Sequence, residues 1–209
     1  MNNSRPIRVL SIDDHPLLSE GISTLINSQS DMELVGSAFT GADGIAKFRE
    51  LRPDIALMDL RLPDLSGIEV LKAIRAEFPE ARIVLLTMFA GDFEIQRALR
   101  GGAQGYLLKS MQPEQIVETI RQVWAGKKRV PEEIAAHLIE HMGDEPLTER
   151  EIEVIRQVSG GNRNRDIAKL LFVCEETVKV HMKHIMEKLG ARDRTQAMAI
   201  AARRGFIHL

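Results

Sequence analysis

The first 127 residues alternate between short apolar runs and segments with helical spacing. Each apolar run is bounded by Gly, Pro, Asp or Ser, as is typical of strands. The runs are almost wholly apolar rather than alternating, so both faces of the sheet should be covered. This alternation of strands and helices predicts a parallel α/β sheet. The predicted strands are Ile7–Ile12, Glu33–Ala38, Ile55–Met58, Ile83–Leu86 and Gly105–Leu108.

The segments between these runs predict helices. Their apolar residues recur every three or four positions, as on one face of a helix. Leu18, Ile22 and Leu25 form the first of these stripes. Residues 1–127 therefore predict one α/β domain.

The pattern changes after residue 127. Residues 128–146 are acidic and polar, and within them Pro131 to Met142 predict one helix, with Pro131 suited to its first turn. After Pro146 every apolar segment has helical spacing. We therefore predict a linker over 128–146 and an all-helical domain over 147–209.

The all-helical domain begins with a strong helix start. Thr148 and Glu151 can each cap the backbone N–H of the other in a capping box. A short second helix, Asn164 to Leu171, and a tight turn then lead to a third helix, Glu175 to Leu189. A short helix, a tight turn and a longer helix are typical of a helix-turn-helix DNA-binding domain.

Charge is unevenly distributed along the chain. The 209 residues carry a net charge of -2, yet residues 147–209 hold 12 Lys+Arg against 8 Asp+Glu, which gives +4. Residues 1–127 (14 against 17) and residues 128–146 (2 against 5) each sum to -3. A basic C-terminal piece on an acidic body favours, weakly, a polyanion partner at that end.

The lengths of the apolar runs and the number of cysteines bear on where the protein is found and on which sites it can form. The longest apolar runs are far too short to cross a bilayer, and the N-terminus carries no apolar signal segment. We therefore expect a cytoplasmic protein with no membrane association. Cys174 is the only cysteine, which excludes an intrachain disulfide and a cysteine metal cage.

Reactive side chains follow the predicted strands at their carboxyl ends, where open parallel sheets bind ligands. Asp13 and Asp14 end the first strand, Asp59 the third, Thr87 the fourth and Lys109 the fifth. Three carboxylates at one edge would repel unless a cation neutralises them, and Mg²⁺ suits such oxygen ligands. Asp59 is then the best nucleophile for a phosphoryl group, with Lys109 and the Thr87 hydroxyl able to bind its oxygens.

Each of these residues also has a simpler interpretation. An Asp at a strand end is often a turn residue, and Asp14 could cap the helix near Pro16. A phosphatase-like enzyme with an aspartate nucleophile is an alternative for the whole set. Such enzymes usually carry a D-x-D arrangement on the first strand, whereas here the acids are adjacent and the best nucleophile, Asp59, follows the third strand.

Residues 1–127 resemble a receiver domain. The resemblance implies a doubly wound, five-stranded, flavodoxin-like fold in which a sensor histidine kinase phosphorylates Asp59. It implies that Asp14, Asp59 and the backbone carbonyl of Arg61 ligate Mg²⁺, with Asp13 acting largely through water. It also implies that Thr87 and Tyr106 move together on phosphorylation, and that the domain catalyses only its own phosphoryl transfer and dephosphorylation. The matching segments are Ser11–Pro16, Leu57–Gly67, Leu85–Thr87 and Gly102–Lys109.

The third helix of the C-terminal domain has a cationic outer face. Lys179 and Lys183 lie one turn apart beside Val180, opposite an apolar stripe, and the lysines could reach base edges or phosphates. By spacing alone, a solvated lysine face on an ordinary three-helix bundle is the favoured interpretation of these residues.

Residues 147–209 resemble a LuxR-type helix-turn-helix domain, and the whole chain resembles a NarL/FixJ-type response regulator. The resemblance implies that Lys179, Val180 and Lys183 face the major groove. It further implies that the protein binds DNA as a homodimer, with the last helix, near Arg194 to Arg204, at the dimer contact. The matching segments are Leu147–Glu151, Asp166–Ala168, Thr177–His181, Lys188–Leu189 and Arg194–Ala197.

Two residues depart from the LuxR-type pattern. Arg163 and Cys174 stand where relatives usually have Ser or another helix cap. Cysteine is a poor N-cap, and we expect Glu175 and Glu176 to disfavour its thiolate. Arg163 could instead contact phosphate. The leading hypothesis is thus a phosphorylation-dependent transcription regulator, and the other alternative is a DNA-binding protein whose receiver only dimerises.

Overall fold

The structure is a computed structural model that describes residues 5–88, 91–130, 132–141 and 143–207. Internal contacts divide the chain into two compact units. The first comprises Met1–Phe89 with Gln96–Ala135, and the second comprises Ala90–Ile95 with Ala136–Leu209. Within the described residues, no helix is long and apolar enough to cross a membrane.

Strands and helices alternate through the first 124 residues, as the apolar pattern predicts. The strands are β1 (Ile7–Ile12), β2 (Met32–Ala38), β3 (Ile55–Asp59), β4 (Arg82–Thr87) and β5 (Gly105–Leu108). The helices are α1 (Pro16–Asn27), α2 (Gly41–Leu51), α3 (Gly67–Glu77), α4 (Asp92–Arg100) and α5 (Pro113–Trp124).

The five strands form one parallel sheet in the order β2-β1-β3-β4-β5. This is the flavodoxin-like order that the receiver resemblance implies, and it places the reversal of strand order between β1 and β3. The carboxyl ends of β1 and β3 therefore flank the crevice where such sheets bind ligands. The sequence-based prediction of the fold is confirmed.

Burial explains why these runs form central strands. Every residue of β3 is buried, and β1 and β4 each have only one partly exposed residue. On one face of the sheet, Val9, Leu57 and Leu86 pack with Ile22 of α1 and Ile120 of α5 in a single apolar cluster. Because an apolar cluster of this kind leaves no room for a charged side chain, the charged residues of β3 and β4 lie at the ends of these strands.

Helices fill the C-terminal part of the chain. They are α6 (Glu132–Glu140), α7 (Glu149–Ser159), α8 (Asn164–Leu170), α9 (Glu175–Leu189) and α10 (Arg194–Arg203). The helix predicted over Pro131 to Met142 corresponds to α6, and both of these end residues lie outside the described residues.

The capping box at the start of α7 is present as predicted. The Thr148 hydroxyl accepts a hydrogen bond from the Glu151 N–H at 3.2 Å, and the Glu151 carboxylate accepts one from the Thr148 N–H at 2.8 Å. Glu151 also pairs with Lys188 of α9 at 3.0 Å. The cap therefore fixes the start of α7 and ties it to the end of α9, whose buried stripe packs in the helical core.

Candidate functional sites

The polar residues predicted at strand ends lie together at the carboxyl edge of the sheet. Asp13 follows β1, Asp59 ends β3, Thr87 ends β4 and Lys109 follows β5. The backbone holds β4 and β5 in register there, because the Lys109 N–H donates to the Thr87 carbonyl at 2.7 Å. The sheet therefore brings together side chains that are far apart in sequence.

Lys109 connects two of the carboxylates. Its Nζ atom donates a hydrogen bond to Asp59 Oδ2 at 2.7 Å. The same atom lies 2.7 Å from Asp13 Oδ2, an ion pair that lacks hydrogen-bond geometry. All three side chains are at most 5% exposed. Because a lysine is rarely this buried without ionic partners, we attribute the burial of Lys109 to its pairing with Asp59 and Asp13.

Backbone N–H groups orient the remaining carboxylate oxygens. The His15 N–H donates to Asp13 Oδ1 at 2.9 Å, and the Arg61 N–H donates to Asp59 Oδ1 at 3.1 Å. Each carboxylate is thus held by the second residue after it. The oxygens that face Lys109 are fixed as a consequence.

Gly67 allows the loop after Asp59 to fold back on β3. Its N–H donates to the Leu60 carbonyl at 2.8 Å. A Cβ atom on Gly67 would stand 2.4 Å from the backbone oxygen of Asp59, closer than real contacts allow. A glycine is therefore required at the start of α3, immediately behind the candidate phosphoacceptor, a role that the sequence pattern did not indicate.

Burial and charge set the pKa values in the pocket. Burial, the largest influence, raises the pKa of Asp59, and the charge of Asp13 raises it further. The hydrogen bonds from Lys109 and Arg61 oppose these effects without cancelling them. Burial lowers the pKa of Lys109, but the attraction of Asp59 and Asp13 outweighs it, so the Lys109 pKa is raised. Lys109 is consequently a fixed positive charge at neutral pH.

The pocket has the donor set of a divalent-cation site. Asp13, Asp14, His15 and Asp59 each offer a ligand atom, all within 4.8 Å of one another. Among the described residues, Asp13 Oδ2 and Asp14 Oδ1 are buried without a hydrogen-bond partner. Three ionised carboxylates against the one ammonium of Lys109 leave a charge of -2, which a divalent cation would neutralise. The residues present therefore fit the metal that the sequence predicts.

The predicted switch residues lie beside the pocket. Thr87 is 1% exposed at the end of β4, and Tyr106 is wholly buried in β5, where it pairs in register with Leu85. The Thr87 hydroxyl is on the same sheet edge as Asp59. A joint movement of Thr87 and Tyr106 stays a prediction.

In the C-terminal unit, α9 has the two faces that the sequence predicts. Val178, Met182, Ile185 and Leu189 are buried in the helical core. Lys179 and Lys183 are exposed, and so is Val180 at 46%. An exposed valine between two exposed lysines gives this face both apolar and cationic contacts.

Acidic neighbours partly neutralise the exposed face of α9. Lys179 Nζ lies 3.2 Å from a Glu176 carboxylate oxygen, and Lys183 Nζ lies 3.7 Å from one of Glu187. Such exposed pairs contribute little to stability and are readily exchanged for other partners. Arg163, the N-cap of α8, is exposed and makes no side-chain cap.

Cys174 is the N-cap of α9, as predicted, but its chemistry differs from the expectation. Its Sγ lies 3.0 Å from the Thr177 hydroxyl, and it makes no hydrogen bond to the helix backbone by the usual cap geometry. The Thr177 hydroxyl, assisted by backbone N–H groups, lowers the pKa of the thiol. The expectation that Glu175 and Glu176 disfavour the thiolate was wrong, because these nearer donors dominate.

Comparison with protein families identifies both parts of the chain. The family model "Response regulator receiver domain" matches residues 9–121. The model "Bacterial regulatory proteins, luxR family" matches residues 145–201. The first range contains all of the pocket residues described above, and the second contains α7, α8 and α9.

Similar proteins share both parts. The transcriptional regulatory protein YxjL of Bacillus subtilis, itself uncharacterized, is 41% identical over 98% of this chain and 99% of its own length. The response regulator protein VraR of Staphylococcus saprophyticus is 36% identical, over 97% of this chain and 99% of its own.

Solved structures of response regulators are also similar to this chain. RcsB of Salmonella enterica serovar Typhimurium, bound to a promoter in the presence of phosphomimetic BeF₃⁻, has a TM-score of 0.73 at 26% identity, covering 95% of this chain and 99% of that one. The response regulator ChrA of a heme-sensing two-component system has a TM-score of 0.58 at 30% identity, covering 98% and 100%. The chain therefore belongs to the NarL/LuxR family of response regulators, transcriptional regulators in which a receiver domain is joined to a LuxR-type DNA-binding domain.

Proposed function

We propose that Asp59 accepts a phosphoryl group from a sensor histidine kinase and that this modification controls promoter binding by the C-terminal domain. The observation that carries the proposal is the buried Lys109, held between Asp59 and Asp13 at the carboxyl edge of the sheet. A lysine buried among carboxylates costs desolvation that packing does not require. Such a group is expected where it serves a reaction.

The chemical step forms one bond and breaks another. An oxygen of the Asp59 carboxylate attacks the phosphorus of a phosphohistidine, the P–N bond breaks, and the imidazole leaves with its electron pair. The product is an acyl phosphate on Asp59. Lys109, already 2.7 Å from Asp59 Oδ2, is positioned to pair with a phosphoryl oxygen, and the Thr87 hydroxyl lies at the same edge to donate to another.

Mg²⁺ is the cation we assign to the acidic residues. Asp14 and Asp59 would hold it together with the backbone carbonyl of Arg61, and Asp13 would act largely through water. When bound, the ion offsets the negative charge that develops on the transferred group. Asp13 and Lys109 keep their own roles, because their ion pair holds both side chains in place around Asp59.

Phosphorylation adds about two negative charges and three acceptor oxygens beside Thr87. We infer that Thr87 and Tyr106 respond together and bias the protein between two states. The receiver acts on itself only, so no turnover of other phosphate esters is expected. The proposed boundaries are 1–127 for the receiver, 128–146 for the linker and 147–209 for the DNA-binding domain.

The DNA contacts are proposed for the exposed face of α9. Lys179, Val180 and Lys183 would lie in the major groove, where Val180 can meet a thymine methyl group. Thr177 and Arg163 would contact the phosphate backbone. The lysines would exchange their carboxylate partners for DNA, and a homodimer with α10 at its contact would read a two-part site.

Labelling with a small phosphoryl donor tests the proposal. The full chain is incubated with acetyl phosphate and Mg²⁺, and its intact mass is measured. We expect one added phosphoryl group on the wild type and none on Asp59→Asn. Asp43→Asn is the matched control, because Asp43 is a surface carboxylate paired with Lys47, and it should label like the wild type.

DNA affinity is then measured with and without the donor. We expect labelling to change affinity for promoter DNA or the oligomeric state of the wild type, with no change for Asp59→Asn. Labelling that persists in Asp59→Asn would contradict the phosphoacceptor assignment. Unchanged affinity and oligomeric state on full labelling would contradict the switch.

A further inference from the structure

His15 lies at the rim of the acidic pocket. Its Nδ1 atom is 2.7 Å from Asp14 Oδ1 and 3.3 Å from Asp13 Oδ1. Its ring is 65% exposed, whereas Asp13 is 2% exposed. The imidazole therefore approaches the carboxylates from the solvent side, where the pocket opens.

The contact between His15 and Asp14 is not a hydrogen bond. Asp14 Oδ1 is buried and has no hydrogen-bond partner among the described residues, although the His15 nitrogen is 2.7 Å away. Two potential ligand atoms thus lie side by side with no hydrogen bond between them. A cation beside them would satisfy both, which is the arrangement expected of neighbouring metal ligands.

The backbone keeps the ring in this position. The His15 N–H donates to Asp13 Oδ1, and His15 is the extended N-cap residue before Pro16, which starts α1. Proline restricts the backbone of the residue before it to extended conformations. Both constraints fix the backbone of His15, from which its ring reaches the carboxylates at the rim of the pocket.

We propose that His15 supplies a nitrogen ligand to the metal of the phosphorylation pocket. Oxygen ligands suit Mg²⁺, whereas imidazole suits transition metals. With one nitrogen among its donors, the pocket is expected to favour Mn²⁺ over Mg²⁺ more strongly than carboxylates alone would. The inference rests on the proposed function, because it concerns the same metal site and names a residue that sets its selectivity.

Pulsed electron paramagnetic resonance on Mn²⁺ bound to the full chain tests the proposal without an activity assay. We expect ¹⁴N coupling to the bound Mn²⁺, converted to ¹⁵N coupling when the protein contains ¹⁵N-histidine. His15→Ala should lose the coupling. Leu17→Ala is the matched control, because Leu17 is 83% exposed in the same segment, and it should keep the signal.

Metal affinities provide the second readout. For His15→Ala we expect Mn²⁺ affinity to fall about tenfold, with little change in Mg²⁺ affinity. A tenfold loss is at the lower end of the losses in metal affinity seen when groups around a bound metal are mutated. Absence of nitrogen coupling in the wild type, or equal losses of both metals in His15→Ala, would overturn the proposal. If acetyl phosphate still labels Asp59 in that case, the phosphorylation function survives and only the role of His15 fails.

Discussion

Asp14→Asn is expected to stabilise the metal-free receiver while abolishing its response to metal. The substitution reduces the pocket from three carboxylates to two, against the single ammonium of Lys109. Asparagine occupies nearly the same volume, so packing is preserved. The pocket would then carry a charge of -1 rather than -2, and repulsion among its acids would fall.

The size of this effect follows from the geometry. Ligand atoms in the pocket lie within 4.8 Å of one another, and two unit charges at that distance interact by about 3 kcal/mol at an effective dielectric of about 20. The Asp14 side chain is 35% exposed, so solvent screening reduces the figure to about 1 kcal/mol. The free energy of unfolding should rise by roughly that amount.

Urea unfolding followed by fluorescence measures this change. Trp124 is the only tryptophan in the chain and lies in α5, so its emission reports the receiver. A gain of about 1 kcal/mol moves the urea midpoint by about 0.5 M. The measurement is made in the presence of a chelator at mildly alkaline pH. Asp43→Asn is the control for removal of a surface charge.

Added Mg²⁺ separates the two proteins further. The wild type should gain stability in proportion to metal binding, and Asp14→Asn should gain little. A metal-free Asp14→Asn protein that is less stable than the wild type would refute the idea that the acids repel one another. So would a Mg²⁺-dependent gain as large as that of the wild type.

Three further predictions follow from the same structure. Burial raises the pKa of Asp59 in the folded protein above 3.8, so the protonated carboxyl stabilises the fold fully below that pH. This contribution to stability is lost as the pH rises through the folded pKa. Urea midpoints measured in a chelator should show the loss, and Asp59→Asn should abolish this pH dependence. Gly67→Ala should destabilise the receiver by about 1–3 kcal/mol and slow its labelling by acetyl phosphate. Gly21→Ala is the control, because its new Cβ meets nothing within 4 Å, and it should neither destabilise the receiver nor slow the labelling. Lys183→Ala should reduce the slope of log affinity against log salt for promoter DNA by about 1. Lys72→Ala is the control, because Lys72 is an exposed lysine of α3 in the receiver. An unchanged slope for Lys183→Ala, or an equal effect of Lys72→Ala, would contradict the assignment of Lys183 to the DNA interface.

Most of the receiver fold was predictable because its central strands, β1, β3 and β4, are buried on both faces. The predicted boundaries of β1 and β5 coincide with the observed ones, β2 and β3 differ by one residue at one end, and β4 differs by one residue at each end. Burial on both faces makes a continuous apolar run, which is a strong signal. Residues that end such runs must then meet at one edge, so the meeting of Asp59 with Lys109 followed from the strand order.

The details of the pocket were less accessible from the sequence. That Lys109 pairs with Asp13 as well as Asp59 depends on side-chain directions that no pattern encodes. The place of His15 depends on the turn between β1 and α1, where the Asp13 carboxylate accepts its N–H. The only signal in the sequence was that His15 directly follows Asp14, and the side chains of adjacent residues often point in different directions.

In the C-terminal domain, too, a local feature was predictable from the sequence and a side-chain contact was not. The Thr148 capping box was predictable, because a local pattern determines a local structure. The lowered pKa of Cys174 was not, since it depends on the rotamer that turns the Thr177 hydroxyl toward the sulfur. Charges counted along the chain, such as those of Glu175 and Glu176, are a poor guide when a nearer hydrogen bond acts on the same atom.

The most direct test of the phosphoacceptor is to locate the phosphoryl group in the labelled chain. Reduction of an acyl phosphate with borohydride converts the modified aspartate to homoserine, which peptide mass spectrometry identifies by position. We predict homoserine at position 59 alone, with Asp13 and Asp14 unmodified. Homoserine at another aspartate, or none at position 59 in a fully labelled protein, would contradict the assignment of Asp59 as the residue through which this regulator receives its signal.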